Sequence, residues 1–171
     1  VFHEDLGSTG DKVRRIRQTA DMIASKLNLD ADTAQSVSRA ADICKFDLVT
    51  QMVYEFPELQ GMMGEDYARK AGEKEEVARA VFEHYQPRFA GESVPASIIG
   101  SVVSLADKMD AIVGFFGIGI IPTGSQDPYA LRRQAAGIVQ ILLDHHLELT
   151  LDQLFDISIS VHEQAGNLKH P

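Results

Sequence analysis

Apolar positions along this chain recur every three or four residues almost throughout, and they rarely alternate. Val13, Ile16, Ala20, Ile23 and Leu27 follow the polar cluster Gly7-Ser8-Thr9-Gly10 at helical spacing, which predicts a first amphipathic helix. Asn28 to Asp30 interrupts the pattern, and Asp30 is placed to cap a second helix through Ala34, Val37, Ala41 and Cys44. A short helical segment is expected over Leu48 to Tyr54, and Pro57 resets the chain before Leu59, Met62 and Met63. Glu73 to Tyr85 gathers Val77, Ala78, Val81 and Phe82 on one face, and Pro87 to Pro95 reads as a loop. Ser97 to Phe116 is apolar nearly all round and predicts a central helix, although Asp107, Lys108 and Asp110 are embedded in it. A loop containing Gly124 ends at Asp127, which can cap a helix that starts at Pro128 and reaches about Asp144. From Leu151 to about Ala165 a last helix is expected, with Ile157, Ile159 and Val161 the one place where an alternating, strand-like pattern competes. The whole predicts an all-α bundle of about seven or eight helices, without strand–helix alternation or an internal repeat.

Length and charge narrow this picture. The 171 residues suit one domain with a sizeable core. The chain opens at Val1 and reads as an excised piece of a longer protein. Its longest apolar run, Ala111 to Ile121, is too short to span a membrane and is interrupted by Gly114, Gly117 and Gly119. A single cysteine, Cys44, excludes an internal disulfide and fits a reducing, cytoplasmic setting. The formal net charge of -9 excludes an all-over nucleic-acid binder. RNA contact is then confined to a local basic patch, and two exist: Lys12, Arg14, Arg15 and Arg17 on the first helix, and Arg132 and Arg133 on the late one. Both also read as ordinary solvated helix faces. Arg14 and Arg17 share a face and make the better phosphate clamp. Arg132 and Arg133 are split by about 100° around their helix, so one is expected to face RNA while the other pairs with an acid such as Asp127 or Glu148.

The polar residues of the central helix need an explanation, because a buried carboxylate is costly without a partner. Asp107 and Asp110, three apart, share a face, and Lys108 points elsewhere. Either they form an ion pair or cap, or Asp107 joins a histidine such as His84 in a metal site. His84 ends its helix, as do His145 and His146, where a histidine complements the helix C-terminus. His3, His162 and His170 lie near the chain ends, and none of the six has the paired spacing of a zinc site. Phosphate-loop, nucleophile-elbow and dinucleotide fingerprints are absent, and Cys44 reads as a small buried residue.

Six segments occur together in a telling order: Leu6-Gly7 with Lys12 to Ile16; Lys45-Phe46-Asp47-Leu48-Val49-Thr50; Glu55-Phe56-Pro57-Glu58-Leu59-Gln60-Gly61-Met62-Met63-Gly64; Glu83-His84-Tyr85-Gln86-Pro87-Arg88-Phe89; Ala106-Asp107-Lys108-Met109-Asp110; and Pro122 to Ile138. Through them residues 1–150 resemble the β subunit of bacterial heterotetrameric glycyl-tRNA synthetase, while 151–171 match weakly. The resemblance implies one domain of a ligase that uses ATP, with magnesium, to attach glycine to its tRNA. It implies an α-subunit partner in an α2β2 enzyme, with adenylate chemistry in α and tRNA binding or positioning in β. The candidate RNA contacts are then Lys12, Arg14, Arg17, Arg132 and Arg133, directed at phosphates or 2′-hydroxyls. No DNA or membrane partner is implied, and the domain alone is expected to be inactive.

That region also resembles the histidine–aspartate (HD) metal-dependent phosphohydrolase fold, which implies a single HD-like helical domain over 1–171. The fold's metal is held by an early His, a His-Asp pair and a late Asp. Here the late Asp corresponds to Asp107 and an accessory histidine to His84, but Cys44-Lys45 stands where the pair belongs and Arg15 where the early His belongs. Lysine is a point cation at neutral pH and no practical ligand for a divalent ion. The reading is therefore a degenerate site without metal or any other bound cofactor, in which Asp107 faces Lys45 and Arg15. The alternatives are a working phosphohydrolase with a rearranged site, using Asp47 as a ligand, or a purely structural spacer.

Overall fold

Ser8 starts the first helix by a reciprocal cap: its hydroxyl accepts from the Asp11 amide at 3.1 Å, and the Asp11 carboxylate accepts from the Ser8 amide at 2.9 Å. The computed structural model describes residues 3–167, and among them the protein is all-α. Helix α1 covers Thr9–Lys26 and α2 Ala31–Ile43, with Asp30 capping the latter through the Thr33 amide. The helical segment expected over Leu48 to Tyr54 is split at Thr50 into a 3-10 turn, Phe46–Val49, and α3, Gln51–Glu55. Thr50 adopts extended backbone so that its hydroxyl can accept from the Val53 amide. A second 3-10 turn, Pro57–Leu59, leads to α4, Met62–Lys70, and then α5, Glu75–Glu83. The bundle is completed by α6, Ile98–Gly117, α7, Leu131–Asp144, and α8, Leu151–Ala165.

α6 is the axis of the bundle. Every residue in it except Ile98 and Phe116 is buried, and α1, α2, α5, α7 and α8 all pack against it. Its start is built by Glu83, the last residue of α5. One carboxylate oxygen of Glu83 accepts from the Ala96 and Ser97 amides at 2.8 and 3.1 Å, and the other from the Ser97 hydroxyl at 2.7 Å. Gly100 is what lets this carboxylate approach, since a Cβ there would sit 2.7 Å from Glu83 Cβ and Oε1. Gly100→Ala is therefore expected to lower stability by about 1–3 kcal/mol through overpacking, read as a shift of the urea midpoint. A wild-type midpoint would show that the α5–α6 junction has slack.

Two expectations are resolved by particular contacts. α8 is a helix because Leu154, Ile157, Ser158, Val161 and His162 form one buried helical stripe, while Ile159 faces outward. α7 begins at Leu131 and not at Pro128. Tyr129 stacks on Phe115 with ring centroids 3.9 Å apart, and Ala130 turns through φ 54° before the helix can start. Asp127 still serves that start from outside it, its two oxygens accepting from the Leu131 and Arg132 amides at 2.8 and 3.0 Å.

Candidate functional site

Helices α1 and α6 meet with two cations facing two carboxylates. Lys12 and Arg15 stand three apart on α1, and Asp107 and Asp110 three apart on α6, so both pairs present along matching faces. Lys12 Nζ donates to Asp110 Oδ2 at 2.9 Å and lies 3.2 Å from Asp107 Oδ1. Arg15 donates from Nε to Asp110 Oδ1 at 2.7 Å and from a terminal nitrogen to Oδ2 at 3.2 Å. Lys45, just beyond the end of α2, closes the other side of Asp107 with a 2.9 Å bond to Oδ2. From α8, His162 Nε2 lies 3.1 Å from Asp110 Oδ1. Asp110 is fully buried and Asp107 is 8% exposed.

The energetics follow from this packing. Burial alone would raise both carboxyls. The charges of Lys45 and Lys12 overcome it at Asp107, and Lys12, the His162 bond and Arg15 overcome it at Asp110. Both aspartates are held well below the usual carboxylate range. Burial likewise opposes the charge of Lys45, yet Asp107 outweighs it and the ammonium is stabilised. His84 goes the other way. Burial, reinforced by Lys45, pushes its pKa well down, so the ring is neutral at pH 7. Its Nδ1 bonds to the Val81 carbonyl, and Nε2 lies 3.9 Å from Asp107 Oδ2, buried and without a hydrogen bond.

Lys108 points away from Asp107, as expected, but it is buried beside the same site. Its Nζ donates to Ser104 Oγ at 2.6 Å, to the Gln86 carbonyl at 3.0 Å and to the His84 carbonyl at 3.4 Å. Burial pushes its pKa down to about 8. A cavity of about 300 Å³ opens here, lined by Lys12, Lys45, Lys108 and Asp107 and by Tyr85, Phe115, Tyr129 and Arg133 among others.

Several sequence expectations change on this geometry. Arg15 does not face Asp107; it is committed to Asp110, one turn further along α6. Lys12, expected on an RNA-facing surface, is buried and held by both aspartates. Arg14 and Arg17 are exposed as expected, but each is matched by acid: Arg14 pairs with Asp11, and Arg17 lies 3.5 Å from Asp42 and 4.0 Å from Asp21. Arg132 and Arg133 are both exposed, so neither is turned inward, and neither makes an ion pair within 4.0 Å among the described residues. Asp47, the alternative ligand, is buried with one oxygen accepting from the Gly61 and Gly64 amides at 2.7 and 3.0 Å, where it anchors the start of α4. Gly61 is required there, because its φ is +84° and a Cβ would meet the Tyr85 ring at 2.8 Å. Cys44 is buried, its thiol pushed up to about 12 by burial and directed at the Ala41 carbonyl. His170 lies outside the described residues. Asp110 forms the ion pair that was one of its two readings; its particular partners, and the parts played by Lys108 and His162, were not assigned from sequence. The matched three-residue spacings of Lys12/Arg15 and Asp107/Asp110 were the available signal for the first.

As a cation site the arrangement is poorly suited. Among the described residues no three His, Cys, Asp or Glu side chains are grouped to hold a metal ion. The oxygens of Asp107 that would ligate one are taken by two ammonium groups. Among those residues, too, no helix is long and apolar enough to cross a membrane.

The family model described as glycyl-tRNA synthetase beta subunit matches residues 1–170. The chain is 65% identical over 154 residues to the glycine–tRNA ligase beta subunit of Halalkalibacterium halodurans, a match covering 90% of this chain and 22% of that protein. It is 60% identical over 154 residues to the Bacillus subtilis protein of the same name, covering 90% of this chain and 23% of that one. It is 57% identical over 169 residues to that of Desulfitobacterium hafniense, covering 98% of this chain and 24% of that one. The chain thus spans less than a quarter of the length of these relatives.

Proposed function

The chain belongs to the glycyl-tRNA synthetase β-subunit family, and from that membership we propose that it is a non-catalytic helical domain of a glycine–tRNA ligase that helps to hold tRNA. The whole enzyme would consume ATP and join glycine to the 3′ end of its tRNA, with adenylate formation in an α-subunit partner and the assembly working in the cytoplasm. This domain would carry no metal. In the HD-like reading, Lys45 and Lys12 occupy the place of the ion's charge, and Asp107 is retained as their counter-ion and not as a ligand.

The observation that carries the RNA role is the state of Arg132 and Arg133. On a chain of net charge -9, these adjacent arginines at the start of α7 are exposed and make no ion pair within 4.0 Å among the described residues, whereas Arg14 and Arg17 do. Guanidinium groups left in this state suit phosphate contact, which carries affinity without reading sequence.

The test is Arg132→Glu/Arg133→Glu in the complete ligase. The expected result is a loss of tRNA affinity of about tenfold or more at low salt, shrinking as salt rises. Glycine-dependent ATP–pyrophosphate exchange should stay at the wild-type rate. Unchanged tRNA affinity at every salt concentration would favour the structural-spacer reading instead.

A further inference from the structure

Among the described residues, the buried cluster holds four cations, Lys12, Arg15, Lys45 and Lys108, around two carboxylates, Asp107 and Asp110. We propose that the cavity beside this cluster binds a phosphoryl group, as free phosphate or carried on a nucleotide.

The surplus is located, not merely counted. Asp107 is shared by Lys12 and Lys45, and Asp110 by Lys12 and Arg15, which accounts for both acids. Lys108 has no carboxylate partner within 4.0 Å among the described residues. Its ammonium is held by two carbonyls and a hydroxyl, and Glu92, an acid whose charge also reaches it, is forked onto Arg88. A buried ammonium whose hydrogen bonds all go to neutral oxygens is expensive to keep charged, and burial pushes Lys108 down to about 8 although the charges of Asp107 and Glu92 oppose it. It is therefore still mostly protonated at neutral pH and attracts an anion.

Tyr85 also lines the cavity; its hydroxyl is buried with no hydrogen-bond partner among the described residues, and burial raises its pKa to about 12, so it keeps its proton. Arg133 stands at the rim, exposed. A cation entering would meet Lys12, Lys45 and Lys108 together. A dianion matches the surplus, and phosphate monoesters carry close to two charges at neutral pH. The volume of about 300 Å³ exceeds what a phosphate ion fills, and the rest of the wall includes the apolar surfaces of Pro87, Ala111, Phe115 and Tyr129. An attached sugar or base would have apolar surface to rest on.

The experiment titrates the intact ligase with inorganic phosphate at low salt, followed by calorimetry and phosphorus NMR. One saturable site per β chain is expected. Lys108→Gln should weaken it by about tenfold or more through loss of the positive charge beside the cavity, since the three N–H donors of Lys108 are already taken by protein oxygens. Should Lys108→Gln fail to fold, Arg133→Ala carries the test with the same direction of change. Adenosine 5′-monophosphate is scored by its displacement of the Lys108-dependent phosphate signal. Displacement at lower concentration than phosphate itself assigns the site to a nucleotide-borne group, and equal potency assigns it to free phosphate. Absence of saturable phosphate binding, or binding that both Lys108→Gln and Arg133→Ala leave intact, overturns the proposal. Arg132 lies outside the cavity, so Arg132→Glu should spare phosphate binding while still weakening tRNA. The two readings can thus fail separately.

Discussion

Asp110→Ala is expected to destabilise the chain by about 3–5 kcal/mol, the range for removing one partner of a buried ion pair. Asp110 is fully buried and answers three side chains: Arg15 by two hydrogen bonds, Lys12 by one, and His162 at 3.1 Å. Alanine would leave the Arg15 guanidinium with only the Leu6 carbonyl, and would leave Lys12 sharing Asp107 with Lys45. It would also remove the carboxylate contact that His162 makes from α8, leaving that ring its 3.1 Å contact with the Asp110 backbone carbonyl. Asp110→Asn keeps the shape but not the charge and should recover only a minor part of the loss. Removing charge on both sides, as in Asp110→Leu with Arg15→Met, should cost less than Asp110→Ala alone, because no unpaired guanidinium is then left buried. Urea midpoints of the four proteins make the comparison. A double variant less stable than Asp110→Ala would mean that packing of the arginine stem, and not charge balance, sets the energy.

How much of this could be read from the chain depends on whether the cause was local. Asp30, Ser97 and the Leu151 to Ala165 stripe announced their helices because caps and periodicity act within a turn or two of the residues concerned. The start of α7 was misplaced for a non-local reason. Asp127 and Pro128 satisfy every local rule for a helix start, but Tyr129 is drawn onto Phe115 of α6, and that contact delays the helix to Leu131. The Leu48 to Tyr54 segment broke at Thr50, where the hydroxyl cap on Val53 competes with continuing the helix.

The site divides the same way. That Asp107 needs a cation followed from its place in an apolar helix, and the 2.9 Å contact with Lys45 supplies one. Which cation meets which aspartate did not follow. Arg15 and Lys12 differ by less than one helical turn on α1, and only the α1–α6 register decides that Arg15 falls opposite Asp110 while Lys12 bridges both. The same register removes Lys12 from the surface on which a basic cluster was expected. Side-chain charge along one helix therefore overstated the RNA-facing patch: of Lys12, Arg14, Arg15 and Arg17, two are structural and two are matched by surface acids.

Acid should weaken the fold through the same two aspartates, and the sign can be worked out. The folded-state pKa values of Asp107 and Asp110 lie below the ordinary 3.8. Well above that value both are ionised folded and unfolded, and their stabilisation is complete. As pH falls below it, the unfolded chain takes up protons that the folded chain refuses, so the unfolded state gains. Stability should then drop by about 1.4 kcal/mol per pH unit for each aspartate, or about 2.7 for the pair. The helix-capping acids Asp11, Asp30 and Asp127 are also shifted down but exposed, and they add to the same trend without setting it. Urea unfolding at pH 5, 4 and 3 gives the slope. Asp110→Asn should remove about half of the steep part below pH 4, since one of the two buried carboxylates no longer titrates. If the wild type and Asp110→Asn lost stability at the same rate over that interval, the acid response would belong to the surface caps and the buried cluster would not be its source.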